Sequence, residues 1–287
     1  MQLAAITDEM SMDLAYALDA MKECGCAGAE LRSVWDTNVG DLSDEQVDEA
    51  LRILDQKQFE VCCLASPLWK CELPGAGGGE LGMIHQATER GPQQQMALLK
   101  RLTDLACRFN TKLIRVFSYW KRGDLTPEIE DAIAADIADG VKFAEDNDVL
   151  LLMENEHACY LGTGEETARF LERVNSPALQ AIWDPGNAFH ADELPYPNGY
   201  EAIRNFVKHV HVKDAELLAS GEKRFVVVGD GEIDFKGQFA ALKAEGYAGY
   251  LSLETHYRPF GGTPEQASRL CLQGINKLLS DIGGTGS

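Results

Sequence analysis

Four acidic or imidazole side chains follow four successive apolar segments in the second half of the sequence. Each segment is short and rich in Val, Ile, Leu and aromatic residues, which is typical of a buried parallel strand. The four side chains are Glu154 after 149–153, Asp184 after 179–183, His211 after 207–210 and Glu254 after 250–253. Three carboxylates and one imidazole form a hard, mostly oxygen ligand set, so Mn²⁺ is the expected ion and Mg²⁺, Co²⁺ or Zn²⁺ are alternatives. If the strand ends meet, these residues predict one divalent-metal site.

Each of these residues also has a simpler interpretation. Glu154 could pair with a lysine, Asp184 could cap the turn before Pro185, and His211 could be a hydrogen-bonded core histidine. The succession of all four favours the metal site. His209 and His211 point to the same side of one strand, since side chains alternate along it. We take His211 as the ligand and expect His209 to lie deeper, as its hydrogen-bonded support or as a packed core residue.

The elements that must position these residues alternate along the whole chain. Strand-like segments occupy 3–6, 28–31, 60–65 and 113–117 before the four named above, with helical patterns between them and after the last. Eight such units predict a single-domain (β/α)8 TIM barrel, an α/β fold, over residues 1–282, with 283–287 as a flexible tail. A doubly wound open sheet is the alternative, but no glycine fingerprint follows the first strand. Glu154 directly follows its apolar segment, so we place it at the rim of the barrel and leave Glu156 to the loop.

The composition narrows the class of protein and its partners. The 287 residues carry a net charge of -20, from 26 basic and 46 acidic residues. Such a surface promotes solubility and repels phosphate backbones and anionic membranes, so we expect no nucleic-acid or membrane partner. The eight cysteines form no regular framework, and Cys62, Cys63 and Cys107 lie in apolar segments, as core residues do. Without a signal-like start or a long apolar segment, we expect a cytoplasmic protein.

Several motifs in the second half resemble those of the xylose-isomerase-like barrels of the sugar phosphate isomerase/epimerase type. The motifs are Leu151-Leu152-Met153-Glu154-Asn155, Trp183-Asp184-Pro185-Gly186-Asn187, His209-Val210-His211-Val212-Lys213-Asp214, Gly229-Asp230-Gly231-Glu232-Ile233-Asp234-Phe235 and Leu251-Ser252-Leu253-Glu254. The resemblance covers most of the chain. It implies that Glu154, Asp184, His211 and Glu254 bind one divalent metal.

The resemblance also shows two departures from related activities. Family epimerases often carry a histidine three residues after the aspartate, where this chain has Asn187, and an amide transfers no proton near neutral pH. The DNA repair endonucleases of the family need further histidines on earlier strands, where this chain has Ser66 and Ser118. We therefore reject the endonuclease branch.

The predicted activity is that of a metal-dependent sugar isomerase or epimerase. It would move a proton next to the carbonyl of a ketose or keto-sugar through an enediolate, with Glu154 and Glu254 as the proton-transfer pair. A lyase of the inosose dehydratase or keto-glycoside deglycosidase type is the alternative, because the same enediolate can expel a β-substituent. A binding protein that has lost the chemistry is a third interpretation, which the intact Glu154 and Glu254 disfavour.

The expected partner is a small-molecule sugar without phosphate, and a homo-oligomer is left open. Candidate substrate contacts, each of which also fits a salt bridge or loop contact, are Glu30, Arg115, His157, Asn187 and Arg224. The long loop 67–90 is either a surface insertion or a lid over the site. Its Trp69, with Tyr119 and Trp120, fits either a wall against the sugar or core packing.

Overall fold

Eight parallel strands close into a barrel in the computed structural model, which describes residues 1–75 and 88–283. The strands are β1 (Gln2–Ile6), β2 (Gly28–Leu31), β3 (Glu60–Leu68), β4 (Leu113–Val116), β5 (Leu150–Glu154), β6 (Leu179–Trp183), β7 (Val207–Val212) and β8 (Tyr250–Leu253). They pair in chain order, and β1 closes the barrel against β8 with Gln2 opposite Tyr250. The (β/α)8 barrel predicted from the alternating pattern is confirmed, and the doubly wound alternative is wrong.

Helices cover the outside of the barrel and join successive strands. They are α1 (Leu14–Glu23), α2 (Asp44–Lys57), α3 (Pro92–Arg108), α4 (Pro127–Asp146), α5 (Gly164–Val174), α6 (Pro185–His190), α7 (Tyr200–Ile203), α8 (Phe235–Ala244) and α9 (Pro264–Gly283). Short 3-10 turns lie at Thr7–Glu9, Val39–Asp41 and Arg204–Phe206. The last turn directly follows α7.

Local sequence signals explain where the helices begin. Ser43 and Gln46 form the reciprocal capping box that their spacing predicts, and the Thr126 hydroxyl accepts a hydrogen bond from the backbone N–H of Ile129. Two antiparallel hairpins, Ser33–Val34 with Thr37–Asn38 and Asp214–Leu217 with Lys223–Val226, were not predicted. They lie in the loops after β2 and β7, at the carboxyl end of the barrel.

The core lies in two layers. Inside the barrel, a small cluster includes Ala4, Cys62, Cys63, Leu152 and Ile182, and a larger one fills the space between strands and helices. Cys62 and Cys63 are buried as expected, whereas Cys107 is exposed on the outer face of α3, so the core assignment of Cys107 is wrong. All eight cysteines are free thiols. In the described part of the chain, no helix has the length and apolar character needed to cross a membrane.

We expect Gly274→Ala to destabilise the barrel, although alanine usually favours a helix interior over glycine. A Cβ at Gly274 would lie 3.0 Å from the carbonyl carbon of Val228 and closer still to its oxygen, so α9 would have to move away from the loop. Overpacking of this kind costs about 1–3 kcal/mol of unfolding free energy. Thermal unfolding measures the loss. Gln273→Ala, on the exposed side of the same helix, is the control, and an unchanged melting temperature for Gly274→Ala would contradict the prediction.

Candidate metal centre

Four consecutive strands bring the predicted quartet to one point at the mouth of the barrel. Glu154 ends β5, Asp184 follows β6, His211 lies near the end of β7 and Glu254 follows β8. One potential ligand atom from each of these buried residues lies within 4.8 Å of all the others. His211 Nδ1 is 3.1 Å from Glu154 Oε1 and 3.5 Å from Glu254 Oε2. The geometric convergence on which the sequence argument depended is therefore present.

Two buried carboxylate oxygens of this cluster fit a divalent cation. Glu154 Oε2 and Asp184 Oδ2 accept no hydrogen bond, and their contacts are ion pairs with Arg115 Nη1 at 3.3 Å and with Lys213 Nζ at 2.9 Å. Buried carboxylate oxygens are costly unless they are paired or bound to a metal. Asp184 is also held in place, because its Oδ1 accepts a hydrogen bond from the backbone N–H of Asn187 and so caps α6. The capping and ligand interpretations of Asp184 are thus compatible, since each uses a different oxygen.

A buried lysine that the sequence argument did not single out joins two members of the quartet. Lys213 Nζ lies 2.9 Å from Asp184 Oδ2 and 2.8 Å from Glu254 Oε2. Burial disfavours its charged form, but the two carboxylates outweigh burial and raise the pKa of Lys213 well above its ordinary value. Lys213 follows His211 by two positions, so the alternation of side chains along β7 could have placed both on the same side.

The backbone leaves room for Lys213 only because residue 186 is a glycine. A Cβ at Gly186 would lie 2.7 Å from the Lys213 carbonyl oxygen and would also collide with the Lys213 side chain. The first turn of α6 therefore packs directly on the end of β7. This close approach explains the glycine in the Asp184-Pro185-Gly186-Asn187 sequence.

Two arginines lie beside the open edge of the quartet. Arg115 Nη1 is 3.3 Å from Glu154 Oε2 and 3.2 Å from Glu254 Oε1, and Arg32 Nη1 also lies 3.2 Å from Glu254 Oε1. Arg115 was predicted as a substrate contact, and the structure brings it to the cluster; Arg32 was missed. Burial alone would raise the pKa of Glu254, but Lys213, His211 and Arg115 hold it well below its ordinary value. Glu254 is therefore ionised at neutral pH.

Glu30, which was predicted as a substrate contact, lies beneath the quartet. The residue is fully buried, and its Oε1 accepts a hydrogen bond from His211 Nε2 at 3.0 Å. Its Oε2 accepts from His209 Nε2 at 2.9 Å and from Ser252 Oγ at 2.6 Å. Both oxygens face these protein groups and not the open mouth. His209 is deep and hydrogen-bonded, as its position two residues before His211 predicted.

A polar chain connects the quartet with the loop after β5. Asn187 Nδ2 donates to Glu154 Oε1 at 3.2 Å, and Asn187 Oδ1 lies 3.0 Å from His157 Nδ1. The same nitrogen of His157 is 3.0 Å from Glu156 Oε1. Glu156 is buried and paired with the buried Lys70 at 2.9 Å, so it belongs to the site although the sequence argument left it to the loop. Asn187 and His157, two predicted substrate contacts, are thus at the mouth.

The other residues predicted to contact the substrate lie in different parts of the structure. Arg224 has a side chain 61% exposed and paired with Glu216 on the hairpin, so the structure does not bring it to the quartet. Trp69 and Tyr119 are buried core residues, and Trp69 packs on Gly140 of α4. Trp120 lies 5.5 Å from Lys70 Nζ, at the edge of the site. Half of the predicted lid, at 76–87, lies outside the described residues.

The fold and the cluster define a TIM barrel that gathers acidic and histidine side chains at the carboxyl ends of its strands. The sequence profile of the xylose isomerase-like TIM barrel family matches residues 18–277, so the chain belongs to that family. The family contains sugar-processing enzymes.

The chain is similar to one curated relative and to two solved structures. An inosose dehydratase of Bacillus licheniformis is 29% identical over 144 residues, which cover 44% of this chain and 48% of the relative. The chain thus spans about half the length of the curated relatives it matches. A D-tagatose 3-epimerase-like protein has a TM-score of 0.75 at 17% identity and full coverage of both chains. The IOLI protein, solved with a bound zinc atom, has a TM-score of 0.74 at 18% identity and 98% coverage of both. These two structures show the fold alone.

Proposed function

We propose that the protein is a divalent-metal-dependent lyase that removes water from a keto-polyol of the inosose type, a carbon ring with one ketone and hydroxyls on the other carbons. The observation that carries this proposal is the convergence of three carboxylates and one imidazole beside an amide, Asn187. The quartet supports removal of a proton next to a carbonyl. The amide supports elimination over epimerisation, because Asn187 cannot return a proton to the opposite face of the substrate carbon. The similarity to inosose dehydratases suggests the substrate class.

A bound cation would polarise the substrate carbonyl and thereby acidify the neighbouring C–H group. Glu254 is the proposed base. Its side chain is 7% exposed, whereas that of Glu154 is only 1% exposed, so Glu254 is the more accessible to substrate. Arg115, Arg32 and Lys213 keep it ionised and hold its orientation. Arg115 and Lys213 also reduce the repulsion between the carboxylates.

Incubation of the metal-loaded protein with an inosose tests this function. We expect release of one water per turnover and a conjugated product that absorbs in the ultraviolet, because the eliminated β-hydroxyketone becomes unsaturated. Chelation with EDTA should stop turnover, and added Mn²⁺ should restore it. Tight binding of inosose without turnover, in the metal-loaded protein, would contradict the proposal.

An epimerase is the second candidate, and the presence of two glutamates in the quartet favours it. Glu154 and Glu254 both contact Arg115 Nη1 and so flank one point, as two proton-transferring groups must. The likeness to a D-tagatose 3-epimerase-like structure is compatible with it. In D₂O, an epimerase would introduce deuterium into a ketose such as tagatose and leave the carbon skeleton and all hydroxyls in place. That result, without water loss from inosose, would favour this candidate.

A further inference from the structure

His157 has one ring nitrogen fixed by the protein and the other free at the mouth. Its Nδ1 lies 3.0 Å from Glu156 Oε1 and 3.0 Å from Asn187 Oδ1. Both neighbours are acceptors, because the Asn187 amide nitrogen already donates to Glu154. The Nδ1 atom must therefore carry a hydrogen. The described residues give Nε2 no hydrogen-bond partner, and the side chain is 36% exposed.

Three loops hold this histidine in place. Glu156, which orients the ring, is buried and bonded to Lys70 from the segment after β3. The Lys70 ammonium lies 4.3 Å from the centre of the Phe117 ring and 5.5 Å from that of Trp120, both after β4. Cation–π contacts of this kind stabilise a buried ammonium. A carboxylate that orients a histidine from the far side is a common arrangement for a general acid or base.

The position of His157 relative to the quartet suits a group that acts on the substrate carbon next to the one that Glu254 deprotonates. The Asn187 side chain alone separates His157 from Glu154, with hydrogen bonds of 3.0 Å and 3.2 Å at its two ends. Glu254, the proposed base, follows β8, at the other end of the four consecutive strands that carry the quartet. A substrate next to the quartet would thus have a carboxylate base on one side and the free Nε2 on another.

We infer that His157 is the general acid that protonates the departing hydroxyl group, an inference that rests on the proposed lyase function. Glu254 takes the proton from the carbon next to the carbonyl, and the electron pair of that C–H bond forms an enolate with the carbonyl group. As the carbonyl re-forms, the same electron pair becomes the new C=C bond to the next carbon. The C–O bond on the next carbon breaks, and the leaving oxygen takes the Nε2 proton of the imidazolium to form water. The cycle ends with neutral His157 and protonated Glu254; Glu254 then releases a proton to solvent, and His157 takes one up.

The charges around His157 agree with this role. Burial disfavours the imidazolium, but the hydrogen bond and negative charge of Glu156 outweigh it and raise the pKa of His157 above its ordinary value. Lys213, facing it from the end of β7, opposes this rise, and Lys70 acts on it through Glu156. His190 of α6 lies 5.2 Å away, and burial lowers its pKa to about 4, so it is neutral near pH 7. Because the acid is the protonated form, elimination should decline as the pH rises through the raised pKa.

The test compares His157→Gln with the wild type on inosose in D₂O, following water loss and deuterium uptake separately. Glutamine keeps a donor towards Glu156 and lacks the acid. We expect water loss to fall about a hundredfold or more, which is the usual range for general acid catalysis, while deuterium exchange next to the carbonyl continues. The alkaline limb of the pH profile should disappear. Glu156→Gln should move that limb to lower pH, because the pKa of His157 then falls.

His190→Gln is the matched control, since it removes a second histidine of the same mouth but should keep the alkaline limb. If wild-type protein eliminates water and His157→Gln does so at the same rate with the same pH profile, the acid assignment is overturned and the lyase function stands. Loss of both deuterium exchange and elimination in His157→Gln would also overturn it, because His157 would then only position other groups. If wild-type protein releases no water from inosose, the lyase function itself fails.

Discussion

Replacement of Glu254 by glutamine is expected to reduce turnover by about a thousandfold or more, within the range attributed to a lost acid–base group. The exchange keeps the size of the side chain but removes the proposed base and a carboxylate of the quartet. It also leaves Lys213, Arg115 and Arg32 with one counter-charge fewer. Turnover of inosose and metal content per chain, expected to be about one divalent ion in the wild type, measure the two effects.

Glu201→Gln is the control for the Glu254 variant, because it makes the same chemical change at an exposed position of α7. It should retain wild-type activity and metal content. A Glu254→Gln protein with full turnover would show that the catalytic assignment is wrong even though the barrel is right.

Replacement of Glu30 by glutamine is expected to weaken metal binding by about 10–100-fold, as the loss of a carboxylate behind a ligating histidine usually does. The Glu30 carboxylate accepts a hydrogen bond from Nε2 of His211 and so fixes the ring with Nδ1 turned towards the carboxylates of the quartet, where a metal ion would replace the Nδ1 proton. A glutamine has one acceptor oxygen for the His209 and His211 rings together. If its amide nitrogen faces His211, that ring must place its proton on Nδ1 and cannot bind a metal there.

Calorimetric titration of the metal-free protein with Mn²⁺ measures this effect directly, without any substrate. Ser252→Ala is the matched control: it removes one donor to Glu30 but leaves both histidine contacts, so it should change the affinity less. Equal affinity in Glu30→Gln and the wild type would contradict the positioning role.

Sequence reasoning found those parts of the site that depend on a single strand and its end. The apolar segments before Glu154, Asp184 and Glu254 are short and bounded by turns, and barrel closure then brings their ends together without any further information. Sequence reasoning also placed His209 below His211, because side-chain alternation along one strand is a local property.

The parts that it missed depend on contacts between strands that are distant in sequence. Glu30 meets histidines about 180 residues further along the chain, and no local pattern reveals such a contact. Lys70 reaches Glu156 because β3 continues to Leu68, three residues beyond the predicted end, with a shift in its register against β4. Charged residues in loops are normally solvated, so Lys70 and Glu156 gave no sign of their burial.

The tetrapeptide Asp184-Pro185-Gly186-Asn187 performs structural and chemical tasks at the same time. Asp184 begins α6 with one oxygen and faces the quartet with the other, Gly186 permits the contact with Lys213, and Asn187 joins Glu154 to His157. A substitution in this segment would therefore disturb folding and chemistry together. The hairpin after β7 differs, because it begins no helix and its tip at 219–222 is exposed, so an exchanged side chain there would leave the start of α6 intact.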